Sequence, residues 1–342
     1  MANNTNSSWE HCFFITDFEF NKLSNTITSV LNCVSAPVAL FGNLGVLLAF
    51  CLSRRLRTPS NLLLAGLAFS DMLTGFIVQP LDIANALQEN LYGETSCSLY
   101  MSFELSTWLL LMSSFLTLTA ISCERFAALT LHLRYQQMFT MKRAAMALIM
   151  IWLISLSLNV IRLLLLESLF WCITLTTVSI CLVLILLTNY VLIKAVQRHR
   201  KLIRSHQVVQ RNKTPRSRDA AVIYVFAAVL ICYIPDFVVI IHTLITGGTD
   251  LTKFVANIAE SVTFLTSSIN PAIYCWRIEE IRREIARLLG IRESHPSFKN
   301  LGSRSSRHDE GAINGSAWSN RTENTTVNYS TTPKELIIDT RC

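Results

Sequence analysis

Several carboxylates stand inside long apolar stretches of this chain, where an ionisable side chain is costly and marks a functional position. Asp71 lies in Leu67-Ala68-Phe69-Ser70-Asp71, near the middle of one such stretch, with no cation close to it along the helix. A carboxylate at that depth needs hydrogen-bond donors, water or a cation to offset its desolvation. Asn43, Ser114, Ser267 and Asn270 occur at depths in other stretches from which they could converge on it. Oxygen ligands around one carboxylate suit a hard monovalent cation or a water cluster, and the alternative is a hydrogen-bonded packing site with no ion.

A second group of acids, Asp82, Glu104, Asp236 and Glu260, falls in the opposite halves of the same stretches, against Arg162 and His242. Acids around one low-dielectric cavity focus a field that attracts a cation. Pairing with Arg162, His242 or water at the rim is the competing account. Two further groups are mechanical in character. In Cys123-Glu124-Arg125-Phe126 an acid beside an arginine can neutralise it until a change of partner frees the guanidinium. In Asn270-Pro271-Ala272-Ile273-Tyr274 the proline removes a backbone donor and kinks a helix, which makes a joint.

The elements that must position these residues follow from composition. The chain has 342 residues, 51% hydrophobic and 15% charged, with a mean hydropathy of +0.40, more apolar than a soluble domain of this size requires. Stretches long enough to cross a hydrocarbon core of about 30 Å run near residues 27 to 53, 60 to 87, 97 to 130, 142 to 166, 169 to 199, 217 to 246 and 251 to 276. The expected fold is an all-α membrane protein, a seven-helix bundle. Ile278, Ile281, Ile285 and Leu288 interleave with Glu279, Glu280, Arg282, Arg283, Glu284 and Arg287, so a short amphipathic cytoplasmic helix is predicted over 277 to 290.

Lys and Arg crowd one set of loops, from Arg54, Arg55 and Arg57 to the run between Lys194 and Arg218, while the other set holds Lys22, Arg162 and Lys253. The bias predicts an extracellular N-terminal segment, residues 1 to 26, and a cytoplasmic C-terminal tail, residues 291 to 342. The net charge of +7 belongs to this basic rim facing membrane lipids, and nucleic acid is not implicated. No cleavable leader is visible, so the first span is expected to act as the insertion signal. Asn3 and Asn6 open glycosylation tripeptides on the outer segment. Cys12, Cys97 and Cys172 are the outer cysteines, and Cys97 to Cys172 and Cys12 to Cys97 are both open as pairings.

Gly42-Asn43, Leu67 to Asp71, Glu124-Arg125-Phe126, Trp152, Tyr190, Cys232-Tyr233-Ile234-Pro235 and Asn270-Pro271-x-x-Tyr274 occur in this order, one landmark per span. The series resembles the rhodopsin-like (class A) G protein-coupled receptors. The resemblance implies a plasma-membrane receptor without enzymatic activity or a required cofactor. Its implied partners are an extracellular ligand, a heterotrimeric G protein, a receptor kinase and arrestin. It further implies that Asp71, Asn43, Ser114, Ser267 and Asn270 form an allosteric sodium site. Glu124, Arg125, Tyr190, Pro235, Pro271 and Tyr274 would form the activation switch, with Tyr274 facing Arg125 and Tyr190 across a cytoplasmic cleft.

The chain departs from the family pattern at several points. Phe126 replaces a tyrosine, Tyr233 a tryptophan and Leu182 a proline, and Cys97 lies farther from Arg125 than the usual bridging cysteine. Thr214-Pro215 stands where an acid often pairs with the arginine, which predicts basal signalling. Amine receptors place an aspartate one turn below Glu104, where this chain has Thr107 or Trp108, and the seventh span offers Phe264 rather than a lysine at the depth of a retinal linkage. A cationic ligand, a basic peptide or a non-standard amine, is expected to meet Asp82, Glu104, Thr107, Trp108, Tyr233, Asp236, His242 and Glu260. A short link from Leu166 to Trp171 and the missing fifth-span proline resemble melanocortin, lipid and cannabinoid receptors. They bring in two further expectations, a calcium ion at Asp82 and Glu104 and, alternatively, a lipid ligand. A transporter would need internal repeats that are not visible, and a membrane hydrolase more intramembrane histidine than His242.

Overall fold

A computed structural model describes residues 18–131, 134–164, 167–206, 217–247, 249–288 and 290. Asn3, Asn6, Cys12, Thr214, Pro215 and the tail lie outside them. The chain divides into two units, residues 1–293 and 294–342, and only the first contains described residues.

Among the described residues all regular structure is helical: α1 (Phe18–Leu52), α2 (Pro59–Leu73), α3 (Gln79–Tyr92), α4 (Cys97–Leu131), α5 (Tyr135–Met138), α6 (Met141–Leu163), α7 (Glu167–His206), α8 (Ser217–Thr246), α9 (Asp250–Arg277) and α10 (Glu279–Leu288). A π turn, Thr74–Val78, joins α2 to α3 within one span, and Pro80 explains it. A proline in the second position of α3 has no N–H and its ring crowds the carbonyl a turn earlier, so the helix widens there by one residue.

Five segments, Asn21–Leu52, Pro59–Tyr92, Cys97–Leu131, Met141–Leu163 and Leu169–Ala195, are long and apolar enough to cross a membrane by themselves. The sixth keeps an apolar stretch, Leu230–Thr246. The seventh, α9, lies against α1 and α8, and its buried side chains include Ser261, Thr263, Thr266, Ser267 and Asn270. A helix that spends its polarity on neighbouring helices does not need apolar residues all round.

The outward faces are apolar. Val30, Val34, Val38, Phe41, Leu44 and Leu48 form an exposed stripe on α1, and Ile180, Val183, Leu184 and Leu187 another on α7. Such faces are stable only against lipid. The core behind them gathers Val46, Leu63, Leu67, Phe115, Leu118, Ile185 and Tyr274 from α1, α2, α4, α7 and α9.

The first helix starts earlier than expected, at Phe18 instead of residue 27. Its inward face, Asn21, Ser24, Asn25, Thr28, Asn32 and Ser35, is polar yet buried. Asn25 Nδ2 donates to Glu89 at 3.1 Å, and Asn257 donates to Asn25 Oδ1 at 3.2 Å. These bonds to α3 and α9 carry the helix beyond its apolar limit.

Candidate functional site

Pro271 has no N–H, so the carbonyl of Ser267, four residues earlier in α9, loses its helical donor. Asn43 Nδ2 from α1 takes that place at 2.8 Å. The approach is close because Gly42 lies beside the proline, where an added Cβ would stand 2.8 Å from Pro271 Cγ. The hinge of α9 is thereby anchored to α1.

Ser267 also faces Asp71. Its hydroxyl donates to Asp71 Oδ1 at 2.9 Å, and Asn270 Nδ2 donates to Oδ2 at 2.7 Å. Ser114 Oγ from α4 lies 2.8 Å from Ser70 Oγ and 3.4 Å from Asp71 Oδ1. Asp71, Ser114, Ser267 and Asn270 therefore converge as expected, while Asn43 acts through the Ser267 backbone instead of meeting the carboxylate. Asn43 Oδ1, Asn270 Oδ1 and the Tyr274 hydroxyl are buried around this cluster without partners. One carboxylate, two hydroxyls and spare amide oxygens form the donor set that a hard monovalent cation takes.

At the C-terminal end of α4, Glu124 Oε2 lies 3.2 Å from Arg125 Nε. Neither atom has hydrogen-bond geometry, so the contact is coulombic. The other oxygen, Oε1, accepts from Ser60 Oγ at 2.6 Å and from the Tyr135 hydroxyl. Ser60 is in the first turn of α2 and Tyr135 opens α5. Neither residue was foreseen, since no local motif links positions so far apart in sequence.

The other switch residues are dispersed. Tyr274 is buried in the core formed by α1, α2 and α4. Tyr190 is exposed, with Lys194 Nζ 4.3 Å from its ring centre. The expected meeting of Tyr274, Arg125 and Tyr190 across a cleft is not the arrangement here, because the Tyr274 ring turns into the apolar core. Pro235 bends α8 one turn from where Thr263 Oγ1 of α9 donates to the Cys232 carbonyl at 3.1 Å. Tyr233 packs on Phe115 with ring centres 5.4 Å apart.

Toward the N-terminal end of α4, Arg162 Nη2 contacts Glu104 Oε2 at 2.6 Å. Its guanidinium stands 5.7 Å from the Trp108 ring and 5.3 Å from the Phe170 ring, and Trp108 Nε1 donates to the same Glu104 oxygen at 3.1 Å. Asp82 instead accepts from Asn32 Nδ2 at 2.6 Å. Glu260 interacts electrostatically with Glu104, Asp82 and Asp236, and with Arg162 in the opposite sense. The four acids therefore share one field. Thr107 is buried with an unpartnered hydroxyl. His242 is exposed, and its ring nitrogen lies 3.3 Å from Thr246 Oγ1 of its own helix, so it does not join the acids.

Asp82 and Glu104 have separate partners, and no group of three or more His, Cys, Asp or Glu side chains suited to a metal ion occurs among the described residues. One expectation needs correction, that of a Cys97 to Cys172 disulfide. Cys172 is a free thiol while Cys97 is disulfide-bonded, which excludes the Cys97 to Cys172 pairing. The partner of Cys97 lies outside the described residues.

Residues 42–172 match the family of seven-transmembrane receptors of the rhodopsin type. Seven helical segments, the Asp71 cluster and the Glu124–Arg125 pair agree with that match and support a rhodopsin-like (class A) G protein-coupled receptor. It is 27% identical to the histamine H2 receptor of Rattus norvegicus over 302 residues, covering 81% of this chain and 83% of that receptor. The human histamine H2 receptor is 27% identical over 299 residues, covering 79% and 82%. Melanopsin of Phodopus sungorus is 40% identical over 119 residues, which span 34% of this chain and 25% of melanopsin. The protein is a multi-pass plasma-membrane receptor, with a ligand and a G protein as its partners, and is not an enzyme.

Proposed function

We propose that this receptor responds to a cationic extracellular ligand, a basic peptide or a non-standard amine, and activates a heterotrimeric G protein with measurable basal activity. The observation that carries the ligand class is the grouping of four acids, Asp82, Glu104, Asp236 and Glu260, with one arginine, Arg162, whose guanidinium is already taken by Glu104. The contact is 2.6 Å, so Arg162 is not free to neutralise the other three acids. Similarity to receptors named for histamine, a small amine, agrees with this sign of charge. Thr107, neutral where amine receptors of this family place an aspartate, separates the ligand from the standard monoamines.

A ligand shifts the receptor only by binding its active and inactive states with different affinity. The residues whose contacts must change are Glu124, Arg125, Ser60 and Tyr135 at the inner face and the Pro271 hinge between the two ends. A sodium ion at Asp71, Ser114, Ser267 and Asn270 would supply charge compensation that favours one of those states. Receptor kinase and arrestin acting on the Ser/Thr-rich tail, an extracellular N terminus and glycans on Asn3 and Asn6 complete the proposal.

The test is expression of the full chain in cells with a second-messenger readout. Basic peptides and cationic amines are applied with and without calcium, and agonist affinity in membranes is measured with and without guanine nucleotide. Activation by cations with nucleotide-sensitive affinity is expected. Activation by uncharged lipids alone would overturn the ligand class, and a basal signal no greater than in mock-transfected cells would overturn the basal activity.

A further inference from the structure

The acids of the outer cavity are not equivalent. Glu104 is already engaged, by the Arg162 guanidinium, which itself stands over the Trp108 and Phe170 rings, and by the Trp108 ring N–H. A carboxylate flanked by aromatic rings is the chemistry that recognises a guanidinium, and here the chain satisfies it internally. Charge that an incoming ligand can use must come from α3, α8 and α9.

On α3, Asp82 is held from behind by a ladder of buried amides. Asn32 Nδ2 donates to Asp82 Oδ2 at 2.6 Å, and Gln79 Nε2 donates to Asn32 Oδ1 at 3.1 Å and to Ser35 Oγ at 2.7 Å. Asn32 and Gln79 are both 0% exposed. The ladder aims one carboxylate oxygen and leaves Oδ1 for another donor. Beside it, Gln79 Oε1 is buried without a partner, and Asn85, one turn further along α3, has neither its side-chain nitrogen nor its oxygen satisfied. Buried polar atoms without partners are uncommon and costly. Ser261 Oγ of α9 lies 3.4 Å from Asn32 Nδ2, and the Glu260 carboxylate is near enough to Asp82 to interact with it electrostatically.

We propose that the junction of α1, α3 and α9 is a subsite for a primary ammonium group of the ligand. Asp82 and Glu260 supply the charge, Gln79 Oε1 supplies a neutral acceptor, and Asn32 positions Asp82. An ammonium carries three N–H donors on one point charge and matches three acceptors around it. The subsite rests on the cationic-ligand proposal above and assigns its charge recognition to α3 and α9, away from α4.

The purified full-length receptor is titrated with n-hexylammonium and with tetramethylammonium, which has no N–H donor, and stabilisation is read as a shift in Tm. Stabilisation by hexylammonium at least tenfold more potent than by tetramethylammonium is expected. Asp82→Asn and Glu260→Gln should each weaken the hexylammonium response by about tenfold or more, and by more than Glu104→Gln or Asp236→Asn does. Gln79→Met should lower the hexylammonium response while leaving that to tetramethylammonium in place, a change of selectivity that a merely structural role would not produce. Loss of binding in Glu104→Gln or Asp236→Asn with Asp82→Asn unaffected would overturn the subsite and leave a cationic ligand standing. No stabilisation by either cation, in any variant that folds, would overturn both.

Discussion

Asn43 Nδ2 donates to the Ser267 carbonyl that Pro271 leaves without a helical donor, at 2.8 Å. The same serine gives its hydroxyl to Asp71 at 2.9 Å. One residue of α9 therefore joins the proline hinge, the first helix and the buried carboxylate, and a movement of the hinge must disturb all three.

Asn43→Ala should strand the Ser267 carbonyl and cost about 1–3 kcal/mol of stability, the penalty for an unsatisfied buried acceptor. Gly42→Ala, whose Cβ would meet Pro271 Cγ at 2.8 Å, should cost a similar ~1–3 kcal/mol by overpacking. Both are read as a lower Tm of the solubilised receptor. An unchanged Tm in Asn43→Ala would show that the hinge is not anchored there.

Asp71→Asn keeps the shape of the cluster and removes its charge. If a sodium ion is held there, agonist affinity in the wild type should fall as sodium replaces choline in the buffer, by about tenfold, equivalent to ~1.4 kcal/mol. The variant should show no such dependence. A wild-type receptor insensitive to sodium would make the cluster a packing site.

Tyr135→Phe removes a donor from Glu124 and should raise basal signalling, since a hydrogen bond to a charged group contributes about 1.5–3 kcal/mol to the state that makes it. Ser60→Ala should act in the same direction. Burial first, and then the bond to Glu124, hold the Tyr135 phenol above its ordinary value of 10.0. Because the folded-state value is raised, the contribution is fully present below pH ~10 and is lost as pH rises through the raised value. The Tm difference between wild type and Tyr135→Phe should thus stay constant through neutral pH and narrow only in strong alkali.

Arg162→Gln should leave Glu104 with its charge unopposed and lower the Tm, whereas Arg162→Gln combined with Glu104→Gln should recover much of the loss. The coupling in this double-mutant cycle should be about 1–3 kcal/mol. Additive losses would mean that the 2.6 Å contact contributes nothing to stability.

Thiol labelling of the denatured receptor should modify Cys172 at once and Cys97 only after reduction. Immediate labelling of Cys97 would contradict its disulfide.

The legible part of this receptor was the part written in local motifs. Asp71, Ser114, Ser267 and Asn270 could be placed together because depth in a span is countable along a helix, and Glu124–Arg125 because the two residues are adjacent. Tyr135 and Ser60 were invisible, since their meeting with Glu124 depends on how two loops and three helices close in space. The early start of α1 had a signal, the spacing of Asn21, Asn25, Thr28, Asn32 and Ser35 along one helical face, but average hydropathy hides a buried polar seam. His242 shows a related limit: depth alone does not say which way a side chain turns, and its ring lies against Thr246 of its own helix.

The π turn at Thr74–Val78 has a consequence for how such a receptor can diverge. Each residue added to or removed from a helix rotates everything beyond it by about 100°. Deleting one residue of the turn, together with replacing Pro80, would restore a straight helix and swing Asp82, Gln79 and Asn85 to a new bearing while Asp71, below the turn, kept its place. The outer acids can therefore be re-indexed by one deletion and one substitution without touching the inner machinery, and ligand preference in this chain is free to drift on a separate clock from the switch it drives.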